Sequence, residues 1–136
     1  MSAFVLDASV AVTWLVDDED HPLADAARRR IVDGGAFVPQ VWHLEVRNAL
    51  LVAELRRRIT AGGTSVRLRS LKELPIHTDT EPDLEAALEL ARGHDLTIYD
   101  AVYLELARRR DEALATLDTA LARAAAAAGV VLVTAS

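Results

Sequence analysis

Short apolar segments alternate with longer segments of helical periodicity along the chain, and this alternation restricts the fold more than any other feature. The apolar segments are only four or five residues long, which is the length of a buried strand. A strand followed by a helix pairs most readily in parallel with another strand, and parallel sheets are usually covered on both faces. We therefore predict an α/β protein with five parallel strands, at residues 3–7, 36–39, 74–78, 113–117 and 130–134.

The segments between the strands carry the spacing of amphipathic helices and contain no linker or repeat. The core must be built mainly from aliphatic side chains, because 51% of the residues are hydrophobic and only 4% are aromatic. A TAGG segment at residues 60–63 is predicted to be a turn between two helices. We expect a single domain over residues 1–136, with helices at 9–16, 22–33, 41–59, 64–73, 82–92, 98–110 and 118–129.

Composition excludes several classes of function. The chain has no cysteine, which removes disulfides, thiolate catalysis and cysteine metal sites. It has no apolar stretch of the ~20 residues that a membrane span needs, and no signal-peptide pattern at its start, so we expect a cytoplasmic protein. The net charge of -6 argues against coating nucleic acid by charge alone. It remains compatible with an enzyme that reaches phosphates through a metal ion.

Four carboxylates are predicted to meet at one edge of the sheet. Asp7 and Asp118 follow the first and fourth strands. Glu45 lies in an early turn of the helix that follows the second strand directly, and Asp100 lies in the first turn of a helix that must run antiparallel to the fourth strand. In open parallel sheets, binding sites form at the carboxyl ends of the strands. The connections alone therefore place all four acids at that edge.

Two of these acids lie on the apolar side of their helices. At about 100° per residue, Asp100 falls inside the apolar arc of its helix, whereas Glu105 falls on the opposite side, and Glu45 repeats the pattern of Asp100. A lone buried carboxylate is costly or becomes protonated, so a cluster of them favours a bound cation. Oxygen ligands without cysteine or paired histidine select Mg²⁺ or Mn²⁺. Such an ion activates water and neutralises charge on a phosphate, which suits phosphodiester hydrolysis.

Each acid also has a purely structural interpretation. Asp118 opens a helix and is a good N-cap, and Thr97 with Asp100 has the spacing of a capping box. Asp7 is suited to closing a strand-to-helix turn. Glu45 fits a structural role least well of the four, because it lies beyond the usual capping positions and inside the apolar arc of its helix. The agreement among the four residues favours the metal site over four separate structural roles.

An ordered set of motifs resembles a known family. The set comprises V-L-D-A-S at 5–9, an isolated glutamate early in the long helix, T-I-Y-D-A at 97–101 and A-T-L-D at 115–118. With these motifs the chain resembles a PIN domain over essentially its whole length. In size and overall pattern it is similar to the VapC-type toxins of bacterial toxin-antitoxin pairs.

The resemblance implies a three-layer α/β/α sandwich with strand order 3-2-1-4-5 and an Mg²⁺- or Mn²⁺-dependent ribonuclease. The family's acidic residues, as metal ligands and catalytic groups, correspond to Asp7, Glu45, Asp100 and Asp118, and its small hydroxyl residues near the metal correspond to Ser9 and Thr116. Some members carry a further acid where this chain has Ala120, so a second metal is less strongly implied than the first. The resemblance also implies an RNA substrate, a homodimer and a cognate antitoxin protein, part of which enters the acidic groove.

Other functions fit the residues less well. A phospho-acceptor signalling module needs a lysine after the last strand, but the only lysine is Lys72. A dehalogenase-like phosphatase needs a second aspartate where Ser9 stands. A PIN-like module that binds RNA or a partner without cleavage stays open as the alternative.

Two charged features have competing interpretations. Arginine triplets at 28–30, 56–58 and 108–110 are suited either to guiding RNA phosphates or to ordinary helix surfaces and ends. The acidic run at 17–20 is more typical of a solvated turn than of a metal site.

Overall fold

The sheet contains the first four predicted strands. The structure is a computed structural model that describes residues 2–16 and 20–135, so most of the acidic run at 17–20 lies outside the described residues. Within them the sheet is parallel throughout, with the order β3-β2-β1-β4. The strands are β1 (Phe4–Leu6), β2 (Ala36–Pro39), β3 (Ile76–Asp79) and β4 (Ala113–Ala115).

The prediction of a fifth strand at 130–134 was wrong, although this segment lies where a fifth strand would lie. Leu132 forms a single parallel bridge with Leu114. In a parallel ladder, alternate residues of a strand pair with opposite neighbours. In the short strand β4, Leu114 is the residue whose backbone faces the segment 130–134. Its N–H donates to the carbonyl of Val131 (2.9 Å), and its carbonyl accepts from the N–H of Val133 (2.9 Å). One outward-facing residue is too few for a strand ladder.

Helices lie on both faces of the sheet, which gives the predicted three-layer arrangement. The helices are α1 (Ala8–Val16), α2 (Pro22–Gly34), α3 (Val41–Leu55), α4 (Ala61–Lys72), α5 (Leu84–His94), α6 (Ile98–Arg110) and α7 (Thr119–Ala127). One group packs α1 against α2 and α3, and α3 against α4, while a second group packs α6 against α5 and α7. The sheet lies between the two groups, with α3 against β2 in the first group and α6 against β1, β2 and β4 in the second.

The predicted TAGG turn is instead the beginning of α4. Thr60 is the N-cap, and its hydroxyl accepts the N–H of Gly63 at 3.0 Å. A threonine that satisfies a free helical N–H stabilises a helix start even where glycines follow. The chain reverses earlier, after α3 ends at Leu55, and Arg57 has a left-handed φ of 59°.

The core is aliphatic, as expected, but the helix α6 is buried far more completely than its periodicity indicates. Five consecutive side chains of α6 are buried, at residues 103–107. They include Glu105, which is only 3% exposed, so its predicted place on a polar face was wrong. Trp42 is a core residue, whereas Trp14 is only partly buried. Among the helices of residues 2–16 and 20–135, none has the length and apolar character that crossing a membrane requires.

Candidate active site

The carboxyl edge of the sheet gathers the four predicted acids. Asp7 follows β1 at once, and Asp118 lies three residues after β4. Helix α3 begins two residues after β2 and carries Glu45 in its second turn, while α6 begins at the same edge and carries Asp100 in its first turn. Short connections between parallel strands and their helices therefore bring together residues that are up to 111 positions apart in the sequence, from 7 to 118.

Asp7 is the most deeply buried of the four acids and is held by two hydroxyls. Its side chain is 5% exposed, and its Oδ2 accepts hydrogen bonds from Ser9 Oγ (2.6 Å) and Thr116 Oγ1 (2.7 Å). The same hydroxyl oxygens accept backbone N–H groups from Leu117 (2.9 Å) and Asp118 (3.0 Å). Each hydroxyl thus accepts from one side and donates to Asp7. The structure places Ser9 and Thr116 beside Asp7, and their place near a metal ion stays a prediction.

Glu45 is half-buried and is held by a residue that the motifs did not single out. The hydroxyl of Tyr103 donates to Glu45 Oε1 at 2.6 Å. Tyr103 is an aromatic residue of the apolar arc of its helix, and a buried phenol needs a polar partner. That requirement, together with its place three residues after Asp100, is the sequence signal that would have found it.

The capping interpretation holds for the ends of two helices. Thr97 caps α6 by accepting the N–H of Asp100 at 3.2 Å, and Asp118 caps α7 by accepting the N–H of Leu121 with its Oδ1 at 3.0 Å. Capping occupies one oxygen of Asp118 and the backbone of Asp100. Both residues are therefore positioned by structural roles that leave carboxylate oxygen for other contacts.

Three of the acids have raised pKa values, and in each case burial is the first cause and the charge of another of the four acids adds to it. Burial raises the pKa of Asp7, and the charge of Asp118 adds to this effect. Burial raises the pKa of Glu45, with further contributions from Asp7 and Asp100. Burial also raises the pKa of Asp100, and the charges of Asp118 and Asp7 raise it further. Folding therefore concentrates negative charge at this edge at an electrostatic cost.

The donor set fits a hard divalent cation, but the acids do not form a finished coordination site. Carboxylate and hydroxyl oxygens are the ligands that Mg²⁺ and Mn²⁺ prefer. Within residues 2–16 and 20–135, no arginine or lysine forms an ion pair with any of the four acids. In the same part of the chain, no three acidic or histidine side chains are close enough together to hold a metal ion. A bound cation would have to draw these carboxylates together.

Two of the three arginines at 108–110 have structural contacts. Arg109 donates to Glu105 (2.7 Å) and to Asp79 (2.7 Å), and Arg110 lies 3.4 Å from the ring centre of Phe37. These contacts support a structural interpretation of Arg109 and Arg110. The proposed role of the triplet in guiding RNA stays a prediction.

A comparison with known families identifies one match. The model of the family described as PIN domain matches residues 4–127 of this chain. A search of curated proteins gave no match.

Solved structures share the fold at low sequence identity. A crystal structure of PAE2754 from Pyrobaculum aerophilum is 23% identical, with a TM-score of 0.70 over 90% of this chain and 86% of the other. FitAcB from Neisseria gonorrhoeae is 16% identical, with a TM-score of 0.67 over 99% and 98% of the two chains. A toxin-antitoxin complex from Klebsiella pneumoniae contains a chain that is 15% identical, with a TM-score of 0.60 and 88% coverage of both. At these identities the similarity extends to the fold alone.

Proposed function

The chain belongs to the PIN-domain family, whose members are generally nucleases, and from this premise we propose that it is an Mg²⁺- or Mn²⁺-dependent ribonuclease. The observation that carries the proposal is the convergence of Asp7, Glu45, Asp100 and Asp118 on one edge, where burial and the neighbouring negative charges raise the pKa values of the first three. A cluster of this kind is stabilised when a divalent cation neutralises it. Perturbed carboxylates at the carboxyl ends of parallel strands are typical of functional sites.

The proposed mechanism divides the work between the scaffold and the acids. A bound divalent ion would lower the pKa of a water molecule and offset charge on the phosphate during in-line attack. Ser9 and Thr116 hold Asp7 in one orientation, which fixes one ligand in advance. Glu45 and Asp100 are half-buried with raised pKa values, and this suits a carboxylate that accepts a proton from the attacking water.

The test is cleavage of RNA by the purified protein after metal removal. A labelled RNA pool is expected to be cut when Mg²⁺ or Mn²⁺ is added back and to stay intact with EDTA. Asp7→Asn is expected to abolish cleavage without unfolding the protein. Asp33→Asn removes an exposed carboxylate of α2, outside the site, and is the control that should cleave like the wild type.

Full activity of Asp7→Asn would overturn the assignment of the site. RNA binding without cleavage at any metal concentration would favour the alternative, a PIN-like module that binds RNA or a partner. This alternative is supported by the absence, within the described residues, of a preformed group of three metal ligands.

We further propose that the chain is the toxin of a toxin-antitoxin pair, acting in the cytoplasm on cellular RNA. Its fold is similar to that of a chain in a toxin-antitoxin complex. An acidic groove without its own cation attracts an arginine or lysine, so a cognate antitoxin would silence it by placing a basic side chain among the four acids. Expression in its host is expected to arrest growth, Asp7→Asn to remove the arrest, and the captured partner to restore growth. Unimpaired growth with active enzyme present would refute the toxin proposal.

A homodimer is proposed on the strength of one exposed apolar face. This face consists of Leu44, Leu84, Ile98 and Tyr99, and it borders a groove of about 360 Å³ beside α3 and α6. Light scattering is expected to give twice the chain mass, and Leu84→Glu to give monomers. Val32→Glu changes an equally exposed apolar residue on α2 and is expected to leave the dimer intact. Monomers at all concentrations would overturn this proposal.

A further inference from the structure

Tyr103 is a buried hydroxyl group in the middle of the candidate active site. Its side chain is 0% exposed, and its hydroxyl oxygen lies 2.6 Å from Glu45 Oε1. The backbone nitrogen of Ala8, the residue after Asp7, lies 3.4 Å from the same oxygen. The hydroxyl therefore connects α6 with α3 and with the first residue of α1, which are the elements beside three of the four acids.

The direction of the hydrogen bonds follows from the donors available. A backbone N–H can only donate, so the Tyr103 oxygen accepts from Ala8, and its proton is directed toward Glu45. A phenol is protonated at neutral pH, so the hydroxyl acts as the donor in its contact with Glu45. Glu45 Oε1 is thus occupied. Glu45 Oε2 receives no hydrogen bond from the part of the chain that the structure describes.

We propose that Tyr103 is a positioning residue that holds Glu45 by Oε1 and so presents Oε2 to the metal. This inference rests on the proposed function, because it assigns how one ligand of that site is oriented. A half-buried glutamate has three side-chain torsions, and a charge-assisted hydrogen bond to a rigid phenol restricts them. The competing explanation is that Tyr103 only fills the core, in which case phenylalanine would serve equally well.

The experiment is Tyr103→Phe, which deletes the hydroxyl and keeps the ring. Mn²⁺ binding to the metal-free protein is measured by electron paramagnetic resonance, with circular dichroism to check folding. Loss of a contact that orients a metal ligand costs roughly 10- to 100-fold in metal affinity or activity. We expect Mn²⁺ affinity to fall about tenfold in this range, and the Mg²⁺ midpoint of RNA cleavage to move with it, while saturating metal restores most of kcat. Tyr99→Phe makes the same change on the same helix, at a residue of the proposed dimer face whose hydroxyl contacts none of the four acids in the structure, and is expected to bind Mn²⁺ like the wild type.

A double-substitution cycle tests whether Tyr103 acts through Glu45. In a Glu45→Gln background, Tyr103→Phe is expected to cause little further loss of Mn²⁺ affinity, because the ligand that it orients has already been changed. Unchanged Mn²⁺ affinity in Tyr103→Phe, or an equal loss with and without Glu45, would overturn the inference. The proposed function has a separate sign of failure, namely wild-type protein that binds no Mn²⁺ or cuts no RNA.

A measurement on the wild type covers the case in which Tyr103→Phe does not fold. The chain has two tyrosines, so a protein labelled with ¹³C at the tyrosine Cζ gives two resonances, which Tyr99→Phe assigns. Adding Mg²⁺ withdraws charge from Glu45 and is expected to shift the Tyr103 signal more than the Tyr99 signal. Glu45→Gln should reduce this shift. An unmoved Tyr103 signal at saturating Mg²⁺ would contradict the proposed contact.

Discussion

Helix α6 carries two carboxylates, Glu105, which is buried, and Asp100, which is half-buried, and their electrostatic surroundings are opposite. Glu105 is 3% exposed, yet its charge is matched by Arg109 at 2.7 Å and by the backbone N–H of Asp83 at 3.1 Å. Asp100 is more exposed, but its neighbours in the structure are the like charges of Asp118 and Asp7. Depth of burial therefore does not distinguish the two carboxylates. They differ in that Glu105 has a cationic partner, whereas Asp100 forms no ion pair within the described residues.

The two surroundings also differ in what they connect. Arg109 reaches both Glu105 and Asp79, so this cluster ties α6 to the end of β3. Through its contact with the N–H of Asp83, Glu105 also ties α6 to the start of α5. The acids at the sheet edge carry like charges that repel one another, so their charges do not hold neighbouring elements together. The comparison predicts that substitutions in the first cluster affect stability and that substitutions in the second affect metal binding and catalysis.

The largest expected effect is the loss of RNA cleavage when a site acid is neutralised. Because contacts that merely orient a ligand are worth roughly 10- to 100-fold, Asp100→Asn is expected to lower kcat by at least about 100-fold. Rates are measured on labelled RNA at saturating Mg²⁺. Glu105→Gln, on the same helix, is the matched control and should retain the kcat of the folded enzyme. Equal losses in the two variants would remove the distinction between the clusters.

The second effect is on stability and has the opposite distribution. Glu105→Gln neutralises one of the two carboxylates that lie 2.7 Å from Arg109, whose side chain is 34% exposed. Losing hydrogen bonds to a charged group costs roughly 1.5 to 3 kcal/mol. Urea unfolding measures this loss. Glu89→Gln breaks an exposed ion pair with Arg92 on α5 and is expected to change stability little. A similar small change in Glu105→Gln would mean that Arg109 is sufficiently neutralised by Asp79.

Glu105 also shows where sequence reasoning reaches its limit. A helical wheel assumes one buried face, but α6 lies between the sheet and two other helices, so its whole circumference is buried over residues 103–107. The position of Asp100 in the apolar arc of its helix suggested that its carboxylate is not fully solvated, yet Tyr99, which lies in the same arc, is 62% exposed. The stronger argument was connectivity. Short links between parallel strands and helices left few places for the acids except one edge.

Two of the features that the sequence did not predict depend on pairing across the fold, and a third depends on a local helix cap. Four strands were predictable because each is an apolar run between clear boundaries, and the fifth failed because only Leu114 faces outward from a very short β4. The start of α4 was predicted to be a turn because of its two glycines, whereas the hydroxyl of Thr60 caps a helix there. Tyr103 was missed because its partner, Glu45, lies 58 positions away in the sequence.

A third, smaller effect is stabilisation by metal. If the acids bind a divalent ion only when the chain is folded, Mg²⁺ at ten times its dissociation constant stabilises the protein by about 1.4 kcal/mol. For a chain of this size, that corresponds to a rise in Tm of roughly 3 to 6 °C. Calorimetry with and without EDTA measures it. Asp100→Asn is expected to lose most of this rise, whereas Glu105→Gln should keep it despite its lower starting Tm. A wild-type Tm that rises with neither Mg²⁺ nor Mn²⁺ would count against the metal site.

The smallest effect is the pH dependence of stability in the metal-free protein. The pKa of Asp100 is raised above its ordinary value of 3.8, first by burial and then by Asp118 and Asp7. The folded state therefore holds its proton at a pH where the unfolded chain has released it, so the free energy of unfolding falls as pH rises from about 3.8 toward neutrality. Asp100→Asn removes this group and its repulsion. Urea unfolding in EDTA is expected to show that the variant gains stability over the wild type as pH rises through that window, while Asp33→Asn does not. A constant difference across the window would mean that the charges at the sheet edge do not oppose folding, and the contrast with Glu105 would then rest on catalysis alone.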